Sequence, residues 1–180
     1  MLEASFLINT LSQMTIIFET ERLIVRDMTR DDYDNFFLLH GNAAVMRYIR
    51  PVHTREESDA RLNDWFAQPY TQPFLGRWAV NEKDTNTFVG SFIMAPIPTE
   101  PEKIQLGYSF LPDYWGRGYG TEVTKVGLDY FRTRTTLNEI YAVIETPNTG
   151  SHKVLLKAGF QEHTRKMEEG KELIVFIVKR

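Results

Sequence analysis

The chain predicts a single α/β (α+β) domain, with about six or seven strands and about four helices in the order βααβββαβαββ. Three observations carry this expectation. Short alternating apolar segments recur along the 180 residues, as half-buried strands do. Two helix starts with capping residues follow the first strand. Residues 107–131, GYSFLPDYWGRGYGTEVTKVGLDYF, place three glycines between an alternating segment and a helical pattern.

Taken in order, Glu21–Asp27 reads as the first strand, with Leu23 and Val25 on one face. Thr29 before Arg30-Asp31-Asp32 is an N-cap with acids in the first turn. The helix after it carries Tyr33, Phe36, Phe37 and His40 on one stripe and ends at Gly41. Thr54 and Glu57 form a capping box that opens a second helix through Leu62, Trp65 and Phe66, ending near Pro69. Strands follow at Gly76–Asn81 and Thr87–Ile93, joined by a polar turn at Asp84–Asn86. Pro96, Pro98 and Pro101 read as a loop, because proline cannot donate to a central ladder. Lys103–Phe110 resumes the alternation, and a long helix starts near Arg117 with Val123, Val126, Gly127, Tyr130 and Phe131 as its buried stripe. Glu139–Ile144 is a strand and Asn148–Ala158 a short helix closed by Gly159. Phe160–Arg165 and Glu172–Lys179 make a final hairpin, turning at Glu169-Gly170.

The length suits one domain, or one domain with an extension. Met14 opens MTIIFETERLIVRDM like a natural start, so residues 1–13 read as a dispensable N-terminal extension and 14–180 as the domain. A net charge of −3 argues against a nucleic-acid partner. Without cysteine there is no disulfide, thiolate metal site or cysteine nucleophile, and a cytoplasmic location fits. No segment is apolar for the roughly 18 residues a membrane span needs, and MLEASFLINTLSQ lacks the marks of a signal peptide. No metal is expected.

The glycines at 116, 118 and 120 raise the question of a ligand. A helix N-terminus offers unpaired N–H groups and about half a positive charge, and glycines let a phosphate approach them. The alternative is a tight turn with no ligand. An ATP loop needs Gly-Lys-Ser/Thr, absent here, and a dinucleotide fingerprint needs a third glycine where Thr121 or Val123 stands. The run Trp115-Gly116-Arg117-Gly118-Tyr119-Gly120-Thr121-Glu122 instead resembles the acyl-CoA motif of the GNAT superfamily of N-acetyltransferases, in the form found in the RimJ/RimL-like ribosomal-protein N-terminal acetyltransferases. Trp115 stands where the superfamily commonly has Gln or Arg. Asn148, Ser151, Leu155, Lys157, Gly159 and Phe160 match the second motif of that branch, and the resemblance covers roughly residues 15–180.

The resemblance implies a central mixed, mostly antiparallel twisted sheet. It also implies acetyl-CoA as cosubstrate, its pyrophosphate at Arg117, Gly118, Tyr119, Gly120 and Thr121. The pantetheine arm would enter a split beside the strand that holds Gly107, pairing with backbone groups of Phe110 and Leu111 and oriented by Asn148. Ser151 would donate to the leaving sulfur, while backbone N–H groups near Tyr108 to Phe110 polarise the thioester. Without cysteine, direct attack by the amine in a ternary complex is expected. The branch commonly has a glutamate base two residues before the strand's Gly-Tyr; here Gln105 stands there, and Glu145 is the nearest replacement. A missing base suits a protein N-terminal α-amine, about a tenth neutral at pH 7, better than a lysine. The alternatives are a small-molecule amine acetyltransferase acting on a polyamine or antibiotic, and a non-catalytic acyl-CoA-binding protein. Asp31, Asp32, Glu56, Glu57 and Asp59 would either attract a cation or form a solvated face. A monomer or homodimer is expected.

Overall fold

The computed structural model describes residues 15–180, so the expected extension at 1–13 lies outside the described residues. One sheet of eight strands runs in the order β1-β2-β3-β4-β5-β6-β8-β7. The strands are β1 (Ile16–Glu19), β2 (Leu23–Asp27), β3 (Gly76–Glu82), β4 (Phe88–Ile97), β5 (Glu100–Phe110), β6 (Glu139–Glu145), β7 (Gln161–Glu168) and β8 (Lys171–Lys179). Every neighbouring pair is antiparallel except β5 with β6. The helices are α1 (Tyr33–His40), α2 (Ala43–Met46), α3 (Arg55–Ala67), α4 (Tyr119–Arg134) and α5 (Thr149–Lys157).

The two faces of the sheet are covered by different helices, because side chains alternate along each strand. Trp78, Val80, Phe92 and Leu106 point to the face where Val123, Leu128 and Phe131 of α4 and Leu155 of α5 complete the main core. At Gly127 the helix lies so close that an added Cβ would sit 2.4 Å from the Phe92 ring. Ala79 and Phe88 point the other way, against Leu39, Val45 and Met46 of α1 and α2. The expected capping box of Thr54 with Glu57 forms, and Thr29, expected as an N-cap, makes a second box with Asp32. The last turn at Glu169-Gly170 has φ of 50° and 78°, the two positive values a tight hairpin turn uses.

Three expectations change. The domain has an additional edge strand, β1, paired to β2, and an additional single-turn helix, α2, whose first amides are capped by Asn42. The proline segment is not a loop: β4 continues through Pro96, which pairs with Ile104, and β5 starts at Glu100 and includes Pro101. The register explains the tolerance. β3 begins at Gly76 opposite Met94, so the nitrogen of Pro96 points past the end of β3, where no ladder bond is required. Among the described residues no helix is long and apolar enough to cross a membrane.

Candidate active site

The N-terminus of α4 is built as the glycine spacing anticipated, slightly later in the chain. Gly118 is the N-cap with φ of 85° and offers no side-chain cap. That left-handed backbone is natural for glycine. The first intrahelical bond at this end runs from the Glu122 N–H to the Gly118 carbonyl at 3.1 Å. The amides of Tyr119, Gly120 and Thr121 therefore have no intrahelical acceptor. The turn is braced from outside. Glu122 accepts from Thr20 Oγ1 at 2.5 Å and from the Arg22 amide and Nε at 2.9 and 2.8 Å. Burial pushes the Glu122 carboxyl up, but these bonds outweigh it and hold it below the usual carboxylate range. Tyr119 is buried, donates to Glu82 at 2.6 Å, and carries Arg22 over its ring at 4.6 Å. Arg117 is exposed beside the turn, 4.9 Å over the Tyr114 ring. Tyr119 thus shapes the loop through its side chain and can offer a ligand only its N–H.

The split in the sheet lies between β5 and β6, which pair only where Gln105 faces Tyr141. The register on the other side of β5 shows which groups are free. The Leu111 amide bonds the Val89 carbonyl at 2.9 Å, so Phe110 opposite Gly90 is a non-hydrogen-bonded pair. By the same alternation Tyr108 and Phe110 turn their backbone groups toward the split. The expectation for Leu111 is therefore corrected: its N–H is spent inside the sheet. The Phe110 carbonyl is also taken, by Trp115 Nε1 at 2.6 Å. What faces the split is the N–H and carbonyl of Tyr108 and the N–H of Phe110. Gly107 keeps regular pairing with Ile93 instead of a bulge. Its missing Cβ would lie 2.8 Å from the Ile93 side chain.

Tyr108 is the feature that sequence reasoning missed as a side chain. Its ring lies beneath the start of α4, 3.3 Å from where a Cβ on Gly120 would be. Its Oη is out of water and has no hydrogen-bond partner among the described residues. Burial pushes the phenol up to about 12, with nearby Ser151 opposing the rise. A buried hydroxyl without a partner costs free energy, and this one lies at the junction of α4, α5 and the split. The only signal in the sequence is the pairing of Gly107-Tyr108 with the two motifs.

Ser151 is half-buried in the first turn of α5, beside Tyr108. Asn148 is the N-cap, and its Oδ1 accepts from the Ser151 amide at 3.1 Å; only its Nδ2 is left for a ligand. His152 faces away, pairing with Glu162 at 2.5 Å. Glu145 ends β6 and is bound by Lys171 of the following hairpin, so the carboxylate expected as a base is an ion-pair partner. Gln105, Gly107 and Ser109 point to the face covered by α1 to α3, opposite to Tyr108. The acids of that layer are largely committed as well. Asp32 bonds Arg26, Asp59 bonds Arg55, and Glu57 caps α3. Asp31 and Glu56 are exposed and bond no side chain among the described residues, as a solvated face has them.

Residues 22–161 match the family model described as Acetyltransferase (GNAT) domain. The chain is 30% identical over 148 residues to YoaA of Bacillus subtilis, an uncharacterized N-acetyltransferase, covering 81% of this chain and 83% of that protein. A GNAT-family acetyltransferase from Bacillus anthracis has the same fold, with a TM-score of 0.77 over 89% of this chain and 96% of that one at 22% identity. A spermidine N-acetyltransferase from Vibrio cholerae, solved with CoA and spermine, gives a TM-score of 0.73 over 87% and 95% of the two chains at 19% identity.

Proposed function

Since the chain belongs to the GNAT family of N-acetyltransferases, we propose that it moves an acetyl group from acetyl-CoA to a primary amine by direct attack in a ternary complex, in the manner of the RimJ/RimL-like branch. The observation that carries this reading is the convergence at the split: unsatisfied strand N–H groups, the uncapped start of α4 and the unpartnered hydroxyl of Tyr108. The cosubstrate fits these groups. Acetyl-CoA supplies an activated acetyl thioester together with a pyrophosphate. The amides of residues 119–121 and Arg117 would hold the pyrophosphate, and Asn148 Nδ2 and the Tyr108 backbone would hold the arm as an added strand is held. Of the two N–H groups that face the split, that of Phe110 would donate to the arm and that of Tyr108 to the thioester carbonyl oxygen as charge grows on it.

Two hydroxyls, Tyr108 and Ser151, lie where the sulfur would leave. At a pKa of about 12 the Tyr108 phenol stays protonated at neutral pH, so its part is to donate a hydrogen bond to the departing thiolate. Ser151 supports it from α5. The amine would arrive on the opposite face, past Gln105 and Gly107.

With Gln105 unable to take a proton and Glu145 held by Lys171, the acceptor must come to the site as the neutral amine. An α-amine meets this need at pH 7 far better than a lysine does. The expected result is a kcat/KM that climbs about tenfold per pH unit up to the acceptor's own pKa, near 8 for an α-amine. Acceptors of different basicity should shift the midpoint with them. A midpoint near pH 6 that ignores the acceptor's pKa would reveal a base in the protein and contradict the reading.

A further inference from the structure

The acceptor face carries a cluster of cations without anions. Arg77 lies on β3, one residue before Trp78, and therefore points to the side covered by α1 to α3. Its guanidinium stacks on Trp65 at 4.5 Å. Arg50, after α2, and Arg61, on α3, are close enough to Arg77 to repel it. Among the described residues none of these three takes part in an ion pair. Arg50 and Arg77 are half-buried. Burial holds both guanidinium groups below their usual range; repulsion from Arg77 and Arg61 adds to it at Arg50, while at Arg77 Tyr70 opposes it and Arg61 adds a little.

Two histidines complete the cluster without supplying an anion. His40 is buried, stacks 3.8 Å from Phe36 and faces His53 at 5.8 Å. Burial pushes it down to about 4, so it is neutral at working pH. His53 Nδ1 is buried without a hydrogen-bond partner among the described residues. Arg50 also borders a cleft of about 310 Å³ together with Arg47, Val52 and Lys171. Buried charges are ordinarily paired. Half-buried Arg50 on an open cleft, with half-buried Arg77 close by, is therefore a site in want of a carboxylate or phosphate, which the guanidinium fork matches.

The register gives the reach. Arg77 pairs with Ile93, and Ile93 with Gly107, so the arginine is two strands from Gly107, about 10 Å. Resting on the N-acetyltransferase reading, we propose that the acceptor is a primary amine bearing an anionic group, a carboxylate or phosphate within about 10 Å of the nitrogen, bound by Arg50 and Arg77. A polyamine, being cationic throughout, is disfavoured by the same cluster.

Calorimetric titration in the presence of coenzyme A tests this with matched probes. One pair is a tripeptide amide ending in aspartate against its asparagine counterpart; the other is glucosamine 6-phosphate against glucosamine; spermidine is the cationic control. The expected result is at least tenfold tighter binding of the anionic member of one pair. The pair that shows it tells carboxylate from phosphate. Arg50→Gln and, separately, Arg77→Lys should each erase most of that preference while coenzyme A binds unchanged. Equal binding within both pairs, tighter binding of spermidine, no binding of any probe, or a preference that survives both substitutions would overturn the proposal. Failure of coenzyme A itself to bind would instead strike the acetyltransferase reading.

Discussion

Replacing Tyr108 with Phe is expected to lower kcat by about a hundredfold while leaving the fold at least as stable as before. The two effects come from one atom. The Oη is buried without a partner, so removing it spares the folded state a desolvation cost of about 1 kcal/mol or more. The same atom is the donor proposed for the departing sulfur, and loss of one well-placed donor costs about 10²-fold or more. The KM for acetyl-CoA should barely move, because the backbone of Tyr108 remains. Urea melts and steady-state kinetics on one preparation separate the outcomes. A less stable variant with unchanged kcat would make Tyr108 a packing residue only.

The largest stability effect is expected at Asp32→Ala. Arg26 and Asp32 form a two-pronged pair, Nη1 to Oδ2 at 2.7 Å and Nη2 to Oδ1 at 2.8 Å, with side chains only 8% and 3% exposed. Removing the acid leaves a buried guanidinium unpaired, at a cost of about 3–5 kcal/mol, a large share of a typical domain's 5–15 kcal/mol. Replacing both residues by Met and Leu should recover much of it. The pair also gives a pH signature. Burial raises the Asp32 carboxyl, but bonds from Arg26, the Thr29 amide and Asn35 outweigh it, and the group is held below its ordinary value. Its contribution is thus present above the unfolded pKa of about 3.9 and lost as pH falls through the folded value. The gap between wild type and Asp32→Ala should narrow between pH 5 and pH 2. A loss under 1 kcal/mol at pH 7 would contradict this account.

The helix caps, the glycine turn and most strand order were legible in the sequence because each rests on local chemistry. Thr29, Thr54 and Asn148 cap the elements they precede, and Gly118 adopts the backbone its position demands. What escaped depends on relations between segments. Leu111 and Phe110 look alike in an alternating strand; only the pairing with Val89 and Gly90 decides which N–H faces the split. Pro96 reads as a strand breaker until β3 is seen to end before it. Tyr108 falls on an apolar face and reads as core; its stranded hydroxyl emerges only when α4 and α5 close over it. Arg50 and Arg77 lie far apart in sequence, and their lack of counter-charge is a property of the packed helices and sheet. Of the acids conspicuous around α1 and α3, Asp32, Glu57 and Asp59 are held by local bonds.

Thermal unfolding with acetyl-CoA, coenzyme A, NADP and ATP in parallel tests the central claim most directly. At about a hundred times its Kd a ligand that binds only the folded state adds roughly 2.7 kcal/mol. The structure predicts that rise for acetyl-CoA and coenzyme A, with little from the other two and with most of it lost in Gly118→Val, which places a branched side chain on a left-handed N-cap at the mouth of the turn. No shift with acetyl-CoA, or an equal one with NADP or ATP, would contradict the assignment of the glycine turn and the split strand to an acyl-CoA.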